Sequence, residues 1–494
     1  MNIGKIITVA KRRGFIFPSS EIYGGLAGMY DFGPLGCLMK KKIENFWREF
    51  FVKTDNIYEV ETCTIMSKPV FVASGHLKDF IDPLAQCKKC KSTFRADDLI
   101  KEKTGKFVEG LNPEELTEEI RKNDIKCPKC KGELSEVRIF NLMLGTNVGP
   151  VEGNLAYLRP ETAAGIFVNF KNILNATRAK LPFGVAQVGI SYRNEISPRH
   201  FLIRLREFRQ MEIEFFVHPE KLNECPNFDR FADIKIKIFT REEQERKGKP
   251  IEITAEQAVK QKILPNQFMA YFLAKEFLWY QKLGIPAKAL RFRQMTEAET
   301  PHYSAGNFDM EIEFDFGWKE VVGNAYRTDF DLKSHMKHSR EDLSITENGK
   351  KVIPHVVEPS FGIDRTIYAI LLYSFFEDKK RGWDWFRFPP RIAPITVAVY
   401  PLVSKDRLPE KAWEIYEMLK KDFDAIYDET GSIGKRYARS DEAGIPFAIT
   451  ADYQTLKDST VTIRDRDSTE QKRIKIDDLT RILTQLVNEE IKLF

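Results

Sequence analysis

The sequence predicts an α+β protein in which a large antiparallel sheet is flanked by helices and followed by a smaller α/β domain with a mixed sheet. Apolar residues alternate in runs such as 308–316, as expected of antiparallel strands with one buried face. Residues 38–51 carry apolar side chains at helical spacing. Residues 395–494 alternate between strand-like and helix-like segments, which indicates a mixed sheet with helices on its faces.

Length and composition indicate an ordinary globular protein of several domains. The chain has 494 residues, of which 43% are hydrophobic and 30% charged, and its net charge is +5. We expect roughly two to four domains. The sequence lacks a run of about 18 apolar residues that could span a membrane, and its N-terminus lacks the order of a signal peptide. A cytoplasmic protein without membrane contact is therefore expected, and the small net charge is weak evidence for nucleic acid.

The segment 183–216 carries the densest chemistry of the chain. Two strand-like runs flank a polar loop, and charged residues occupy the loop and the return limb. These residues are Arg193, Arg204, Arg206, Glu195, Glu207, Glu212 and Glu214. Forked guanidinium donors bind phosphate oxygens in pairs, and the carboxylates could take a metal, an ammonium group or an exocyclic amine. The alternative is a surface hairpin with many ion pairs, but charges among apolar residues more often mark a site.

Four of the seven cysteines form two CxxC pairs, Cys87 with Cys90 and Cys127 with Cys130. Paired knuckles of this kind are typical of a structural zinc site with four thiolate ligands, and disulfides are not expected in a cytosolic protein of this size. A knuckle without metal is the alternative. Between the pairs, the sequence predicts a helix over residues 113–122 with Asn112 as its N-cap.

A second charged turn lies within residues 355–372. A short apolar strand runs into Glu358 and Ser360, and Arg365 follows near the start of a helix. Gly362 allows the backbone to pass close to a ligand, and a helix N-terminus already favours anions. The combination suits a triphosphate.

Two more charged residues have ordinary structural interpretations. Glu161 lies at or near a helix N-terminus, where a capping carboxylate is common. Arg327 can form a local ion pair with Asp329 or Asp331. Both interpretations remain open at the level of sequence.

Several of these segments resemble the class II aminoacyl-tRNA synthetases, in the form found in the dimeric glycyl-tRNA synthetases. The loop 193–199, Arg-Asn-Glu-Ile-Ser-Pro-Arg, and the return limb 206–216 resemble motif 2. Residues 24–51 resemble motif 1, residues 159–167 resemble the segment Arg-Pro-Glu-Thr of the glycyl type, and residues 355–372 resemble motif 3 with Glu-Pro-Ser before the glycine. The resemblance covers nearly the whole chain.

The resemblance implies a class II catalytic core with insertions and a C-terminal α/β anticodon-binding domain. The implied units are 1–83 as the N-terminal part of the core with motif 1 and the dimer interface, 84–137 as the cysteine-bearing insertion, 138–217 as core with motif 2, 218–286 as an inserted helical and polar subdomain, 287–386 as core with motif 3, and 395–494 as the anticodon-binding domain. In the last unit, 16 Lys and Arg against 19 Asp and Glu give a net charge of −3. An RNA surface there must be local, with a solvated face as the alternative. The candidates are Lys435, Arg436, Arg439, Arg464 and Arg466.

The resemblance also implies residue roles, with Arg193, Glu195 and Arg365 as catalytic residues. ATP is expected to contact Arg193, Asn194, Glu195, Ile203, Arg204, Leu205, Arg206, Glu207, Phe208, Glu320, Val321, Gly362, Ile363, Asp364 and Arg365. Glycine is expected to contact Arg95, Glu161, Phe208, Arg209, Gln210, Met211, Glu212, Arg327, Glu358, Pro359, Ser360, Phe361 and Gly362. The structural metal would be held by Cys87, Cys90, Cys127 and Cys130.

The implied activity is that of a glycine–tRNA ligase. Such an enzyme activates glycine with ATP to glycyl-adenylate, with Mg²⁺ accompanying the ATP, and passes glycine to the 3′ end of tRNA-Gly. A homodimer is the expected assembly. A noncatalytic synthetase-like protein that binds tRNA or nucleotide is one alternative, and the presence of Arg193 and Arg365 argues against it. A synthetase for serine, threonine or proline is the other, and Glu161 and Glu358 disfavour it.

Overall fold

A computed structural model describes residues 3–106, 108, 110–150, 153–297, 299–300 and 304–494. Its centre is a nine-stranded sheet. The strands, from one edge to the other, are Ile251–Thr254, Lys235–Phe239, Leu290–Gln294, Asn307–Phe314, Gly317–Thr328, His355–Gly362, Glu207–Val217, Phe183–Tyr192 and Ile57–Glu59. All neighbouring strands run antiparallel except the pair that joins the second and third strands and the pair at the Ile57–Glu59 edge. The predicted antiparallel sheet is confirmed.

The two faces of the central sheet have different coverings because side chains alternate along each strand. On Glu207–Val217, the side chains of Met211 and Ile213 join the main apolar core. Phe216 lies on the opposite face of the same strand and packs against helix Ala163–Thr177. Helices therefore cover one face fully and the other in part, and the uncovered part is open to a ligand.

The predicted helix over 38–51 forms, with shifted bounds. It runs from Pro34 to Trp47, and a π-helical turn, Arg48–Val52, follows it. Pro34 occupies the first helical position, where its missing N–H costs nothing. Trp47 and Phe51 both make edge contacts with Phe361 of the central sheet, so this helix belongs to the main core.

The cysteine-bearing insertion is built on a small antiparallel sheet. Its strands, in order, are Thr93–Arg95, Ile81–Gln86 and Arg138–Asn141. Helices Ala96–Thr104 and Pro113–Lys122 pack against each other. The second helix is the predicted one, and Asn112 and Glu115 cap it reciprocally through side chain and backbone.

The segment 218–286, predicted as an inserted subdomain, extends the central sheet. It supplies the strands Lys235–Phe239 and Ile251–Thr254 at the sheet edge and helix Gln267–Lys282 in the core. The aromatic side chains of that helix pack internally, and Trp279 and Tyr280 have no exposed surface.

Residues 395–494 form the predicted mixed sheet with helices. The strand order is Ala425–Tyr427, Val397–Pro401, Phe447–Ala451, Thr460–Asp465 and Gln471–Lys475, with the first three parallel and the rest antiparallel. Its helices are Leu408–Leu419, Ile433–Ala443, Thr455–Asp458 and Leu479–Val487.

Three arginines of this unit that were candidates for an RNA surface are buried. Arg436 donates to the carbonyls of Glu429 and Gly431, Arg464 pairs with Asp441 at 2.8 Å, and Arg466 donates to backbone carbonyls. Each is at most 5% exposed. The prediction of an RNA contact is wrong for these three, because internal acceptors satisfy their guanidinium groups.

The remaining elements are short. The further helices are Ile3–Arg12, Lys68–Ala73, His76–Asp79, Arg241–Glu245, Ala255–Lys260, Phe330–Ser339 and Ile363–Ser374. The further strands are the hairpins Ile16–Pro18 with Tyr30–Phe32, Ile345–Glu347 with Lys350–Val352, and Phe375–Asp378 with Trp383–Phe386, and the three-stranded sheet Ile65–Ser67, Leu155–Leu158, Leu144–Asn147. Within the described ranges, no helix has both the length and the apolarity needed to cross a bilayer.

Candidate active site

A cavity of about 420 Å³ opens on the partly covered face of the central sheet. The strands beneath it contribute alternate residues, so that Phe208, Gln210 and Glu212 face the cavity from one strand, and Glu358 and Ser360 from its neighbour. The predicted site residues that line it are Arg95, Glu161, Arg193, Glu195, Ile203, Arg204, Leu205, Phe208, Arg209, Gln210, Glu212, Glu320, Val321, Glu358, Ser360, Gly362, Asp364 and Arg365.

At one end of the cavity, here called the arginine end, Arg193 lies between two aromatic rings. Its guanidinium carbon is 5.2 Å from the ring centres of both Phe80 and Phe208. Its Nε donates to the carbonyl of Pro160 at 3.3 Å. The rings hold the planar group by cation–π attraction and leave its remaining N–H groups for a ligand.

The loop before the return strand is fixed from two sides. Arg206 donates to the carbonyl of Glu195 at 3.0 and 3.1 Å and to that of Ala27 at 3.0 Å. Arg204 lies 3.3 Å from the carboxylates of both Glu195 and Asp98. Asp98 belongs to the cysteine-bearing insertion, so that insertion contacts the loop directly.

Arg365 completes the arginine end from the helix that follows Gly362. Its Nη1 lies 3.0 Å from the Glu320 carboxylate, and it also donates to the carbonyls of Glu320 and Ile203. Next to it, Asp364 accepts from the backbone N–H of Arg209 at 2.6 Å and from its guanidinium at 3.2 Å. These bonds tie the helix start to the return strand across the sheet.

At the opposite end, here called the acidic end, carboxylates surround Arg327. Arg327 donates to Glu358 at 2.8 Å and to both oxygens of Asp331 at 2.7 and 3.0 Å. Glu161 lies 3.6 Å from Arg327 and 3.6 Å from His76. Arg327 therefore forms the local pair with Asp331 that the sequence allowed. It also binds Glu358, which lines the cavity.

Glu212 at the acidic end is held by hydroxyl groups. It accepts a hydrogen bond from Ser360 at 2.5 Å and another from Thr162. Gln210 in turn donates to Ser360 at 3.1 Å. Hydroxyl donors stabilise an ionised carboxylate, so Glu212 is suited to bind a cation.

The pKa values of two acidic-end residues move in opposite directions. Burial raises the pKa of Glu161, but His76 and Arg327 outweigh it and lower the pKa to about 2. Burial raises the pKa of Glu358 to about 8, helped by the charges of Glu212 and Glu161 and opposed by Arg327. An added cation between these groups would therefore be strongly favoured.

Eight predicted site residues lie beside the cavity without lining it. They are Asn194, Arg206, Glu207, Met211, Arg327, Pro359, Phe361 and Ile363. Met211 and Phe361 point into the main core because they occupy the opposite phase of the alternation, and Ile363, the first residue of the following helix, packs in the same core. Arg206 and Arg327 act on neighbouring groups through the bonds given above.

Several lining residues were absent from the sequence prediction. Asn307 and Asp309 line the cavity from strand Asn307–Phe314, and Phe80 and Asp82 line it from the segment just before the cysteine-bearing insertion. Asp309 could have been found, because it alternates with apolar residues that were recognised as the buried face of a strand. Phe80 offers no such signal, since its role depends on packing against Arg193.

The four predicted metal ligands converge in the insertion. The sulfur atoms of Cys87, Cys90, Cys127 and Cys130 all lie within 4.8 Å of one another. The Cys87–Cys130 distance is 3.5 Å, and the Cys90–Cys127 distance is 3.6 Å. A tetrahedral zinc with Zn–S bonds of about 2.3 Å separates its sulfur ligands by about 3.8 Å, so the cluster fits that ion.

Two known protein families match parts of the chain. The one described as "tRNA synthetase class II core domain (G, H, P, S and T)" matches residues 151–236. The one described as "Anticodon binding domain" matches residues 396–486. The first match contains the hairpin of the cavity, and the second contains all five strands of the C-terminal mixed sheet.

Curated relatives match almost the whole chain. The glycine–tRNA ligase of Pyrococcus furiosus is 44% identical over 97% of this chain and 97% of its own length. That of Methanothermobacter thermautotrophicus is 40% identical over 98% of this chain and 99% of its own length. That of Aeropyrum pernix is 40% identical over 99% of this chain and 97% of its own length.

Proposed function

The chain belongs to the glycine–tRNA ligase family, and we propose on that basis that it activates glycine with ATP and transfers it to the 3′ end of tRNA-Gly. The observation that carries the proposal is the cavity with one end rich in arginine and the other in carboxylates. Its substrates carry matching charges, a triphosphate and an ammonium group. The noncatalytic alternative has no observation in its favour.

The first step joins two anions and requires no protein nucleophile. A carboxylate oxygen of glycine attacks the α-phosphorus of ATP, and diphosphate leaves. Arg193, held between Phe80 and Phe208, is positioned to bind both the attacking carboxylate and the α-phosphate. Arg365 is positioned for the outer phosphates, and the Phe208 ring offers a stacking surface to adenine.

The second step consumes the glycyl-adenylate. A ribose hydroxyl at the tRNA 3′ end attacks the glycyl carbonyl carbon and gives up its proton, which the departing phosphate group can accept, and AMP leaves with the bonding electrons of the anhydride. The same Arg193 that screened the α-phosphate in the first step stabilises AMP as it departs. The chain therefore contributes chiefly orientation and charge.

Selection of glycine depends on its ammonium group, because the side chain offers nothing to bind. Glu161, Glu212 and Glu358 converge from three different elements at the acidic end. Ser360 and Arg327 fix two of these carboxylates. The wall of small residues near them, Gly323 and Ala325, limits the room beside the ammonium group.

Class II synthetases generally use ATP with Mg²⁺, which neutralises phosphate charge. Carboxylates are the appropriate ligands for this ion. Glu320 and Asp309 line the cavity, and Glu311 lies opposite Glu320 on the neighbouring strand. We assign these three residues to the metal that accompanies ATP.

The cysteine cluster is proposed to hold a structural Zn²⁺. The four sulfur atoms and their spacing support this assignment. Such a site is closed, because all four coordination positions belong to the protein. Its effect on catalysis is indirect, through the contact of Asp98 with Arg204.

A homodimer and a cytoplasmic location complete the proposal. The motif 1 resemblance of helix Pro34–Trp47 supports the dimer, as does strand Ile57–Glu59, which ends the central sheet among the described residues. An unpaired sheet edge is a favourable place for contact with a second chain. The location follows from the use of charged tRNA in cytoplasmic translation.

Glycine-dependent ATP–diphosphate exchange tests the function. We expect exchange with glycine and little with alanine or serine. Arg193→Ala should lower the exchange rate by about 10²–10³ or more without unfolding the chain. Arg481→Ala, an exposed arginine of the C-terminal unit, is the matched control. Absence of glycine-dependent exchange in folded, metal-replete wild type contradicts the proposal.

A further inference from the structure

Glu214 is a completely buried carboxyl group beside the acidic end of the cavity. It follows Glu212 by two residues on strand Glu207–Val217 and therefore occupies the same face of the sheet. The next residue on that face, Phe216, packs with Phe167 in an apolar cluster. The Glu214 side chain has no exposed surface, and neither of its carboxyl oxygens has a hydrogen-bond partner among the described residues.

Its neighbours make a negative charge on Glu214 unfavourable. Oxygen atoms of Glu212, Glu214 and Glu358 all lie within 4.8 Å of one another, and all three residues are buried. Three charges at this separation among buried side chains repel strongly. The other charged groups that face Glu214 are Arg327 on strand Gly317–Thr328, the next strand but one in the sheet, and Asp331 on helix Phe330–Ser339.

The donors at this place already serve the other carboxylates. Glu212 accepts from two hydroxyl groups, those of Ser360 and Thr162. Glu358 accepts from Arg327 at 2.8 Å. Glu214 is thus the member of the trio whose oxygens have no donor among the described residues, and an ionised carboxylate without donors is the costliest arrangement.

We infer that Glu214 carries a proton in the working enzyme and is a positioning residue, whose neutral carboxyl group supports Glu212 and Glu358 from beneath. The inference rests on the proposed function, since it concerns the place where the glycine ammonium binds. The proton removes one negative charge from the trio, whose oxygen atoms lie within 4.8 Å of one another. A neutral Glu214 can donate a hydrogen bond to a neighbouring carboxylate, which an ionised one cannot.

The electrostatics agree with this assignment of the proton. Burial raises the pKa of Glu214 well above its ordinary value, and Glu358 raises it further, while Arg327 lowers it. The pKa of Glu358 is also raised, so the two carboxyls compete for a proton. Glu358 has a charge-assisted bond that favours its ionised form, and Glu214 has none, so the proton belongs on Glu214.

A pH dependence of stability follows, with a definite sign. The pKa of a glutamate in the unfolded chain is about 4.3. In the folded chain, burial raises the pKa of Glu214 well above that value. A group whose pKa is raised by folding contributes stability that is present below the unfolded pKa and lost as pH rises toward the folded pKa. Glu214→Gln removes this loss, because glutamine is neutral in both states.

The first measurement is therefore thermal unfolding of wild type and Glu214→Gln at about pH 5 and about pH 8.5. We expect the melting temperature of the variant, relative to wild type, to rise by at least about 2 °C between the two pH values. Glu118→Gln, an exposed residue of helix Pro113–Lys122, should show no such change. A difference that stays constant or falls with pH overturns the inference.

The second measurement compares Glu214→Gln with Glu214→Leu in glycine-dependent exchange. Leucine retains the approximate volume and loses the donor, so its glycine KM should rise by more than about tenfold while its ATP KM stays near the wild-type value. Glutamine restores a donor and should keep the glycine KM within about threefold of wild type. Equal damage by both substitutions overturns the inference. If the leucine variant does not fold, the stability arm with glutamine still decides.

The two proposals fail in different ways. Wild type that shows no glycine-dependent exchange contradicts the proposed function and leaves the stability measurement on Glu214 intact. Wild type that exchanges, together with a glutamine variant as impaired as the leucine variant, contradicts only the role of Glu214.

Discussion

The guanidinium group of Arg327 lies 2.8 Å from the carboxylate of Glu358 and also donates hydrogen bonds to both oxygens of Asp331. Arg327 is only 2% exposed. One buried cation thus fixes a carboxylate of the proposed glycine site from the side that faces the protein interior. Arg327 thereby links its own strand, Gly317–Thr328, to strand His355–Gly362 and to helix Phe330–Ser339.

Removing Arg327 should affect both stability and glycine binding. Arg327→Leu leaves Asp331 and Glu358 buried without their cation, so the free energy of unfolding should fall by about 3–5 kcal/mol. The glycine KM should rise more than the ATP KM. Urea denaturation and exchange kinetics check the two effects. Lys171→Ala, which breaks the exposed pair with Glu341, should leave the free energy of unfolding nearly unchanged. A loss for Arg327→Leu no larger than that for Lys171→Ala contradicts the interpretation.

Arg206 is expected to act on the ATP-binding loop through the backbone. It donates to carbonyls of Ala27 and Glu195, and so Arg206→Ala frees the loop that presents Glu195. The ATP KM should rise by about tenfold with little change in the glycine KM. Steady-state exchange kinetics with each substrate varied in turn provide the test. A fall in kcat as large as that of Arg193→Ala would instead indicate direct phosphate contact.

Loss of the cysteine cluster should remove zinc and weaken ATP binding. Cys127→Ser eliminates a buried ligand, so we expect about one zinc ion per chain in wild type and less than about half of that in the variant. Melting temperature should fall. The ATP KM should rise because Asp98 of the insertion contacts Arg204. Metal analysis and exchange kinetics check both, with Cys63→Ser, an exposed cysteine outside the cluster, as control. Full zinc content in Cys127→Ser would contradict the assignment.

The lowered pKa of Glu161 predicts a second pH dependence of folding stability, opposite in sign to that expected from Glu214. Burial raises its pKa, but His76 and Arg327 bring it down to about 2 from its ordinary 4.5. Its stabilising contribution is therefore present above about pH 4.5 and lost as pH falls toward about 2. Glu161→Gln should flatten the acid branch of unfolding free energy against pH by at most about 3 kcal/mol. An acid branch as steep as that of wild type would show that Glu161 is not held ionised by its neighbours.

Local patterns predicted the elements on which the site is built. The alternation along 183–216 gave two strands, and in the structure Phe183 pairs with Phe216 at the base of that hairpin. Asn112 marked a helix start that the structure places at the next residue. Spacing alone paired the cysteines. These predictions succeed because turns, caps and alternation depend on neighbours within a few residues.

The same patterns could not say what each charged side chain meets. Arg193 of the predicted loop lies between two rings, whereas Arg206 of the return limb beside it binds backbone carbonyls. Arg464 in the C-terminal unit resembled an RNA contact, and it is buried against Asp441. In each case the deciding partner is distant in sequence.

The sequence by itself determined the family, the strands and helices and the residue types available for phosphate, ammonium and zinc, because these depend on local order and on motif composition. Only the tertiary structure decided which carboxylates have donors and which have none. Glu212 and Glu214 are two residues apart on one strand face and chemically identical, but only Glu212 meets hydroxyl groups from Ser360 and Thr162. Burial and partners are both set by residues far away in the chain, and they raise the pKa of Glu214 well above its ordinary value while leaving it without the donors that Glu212 has.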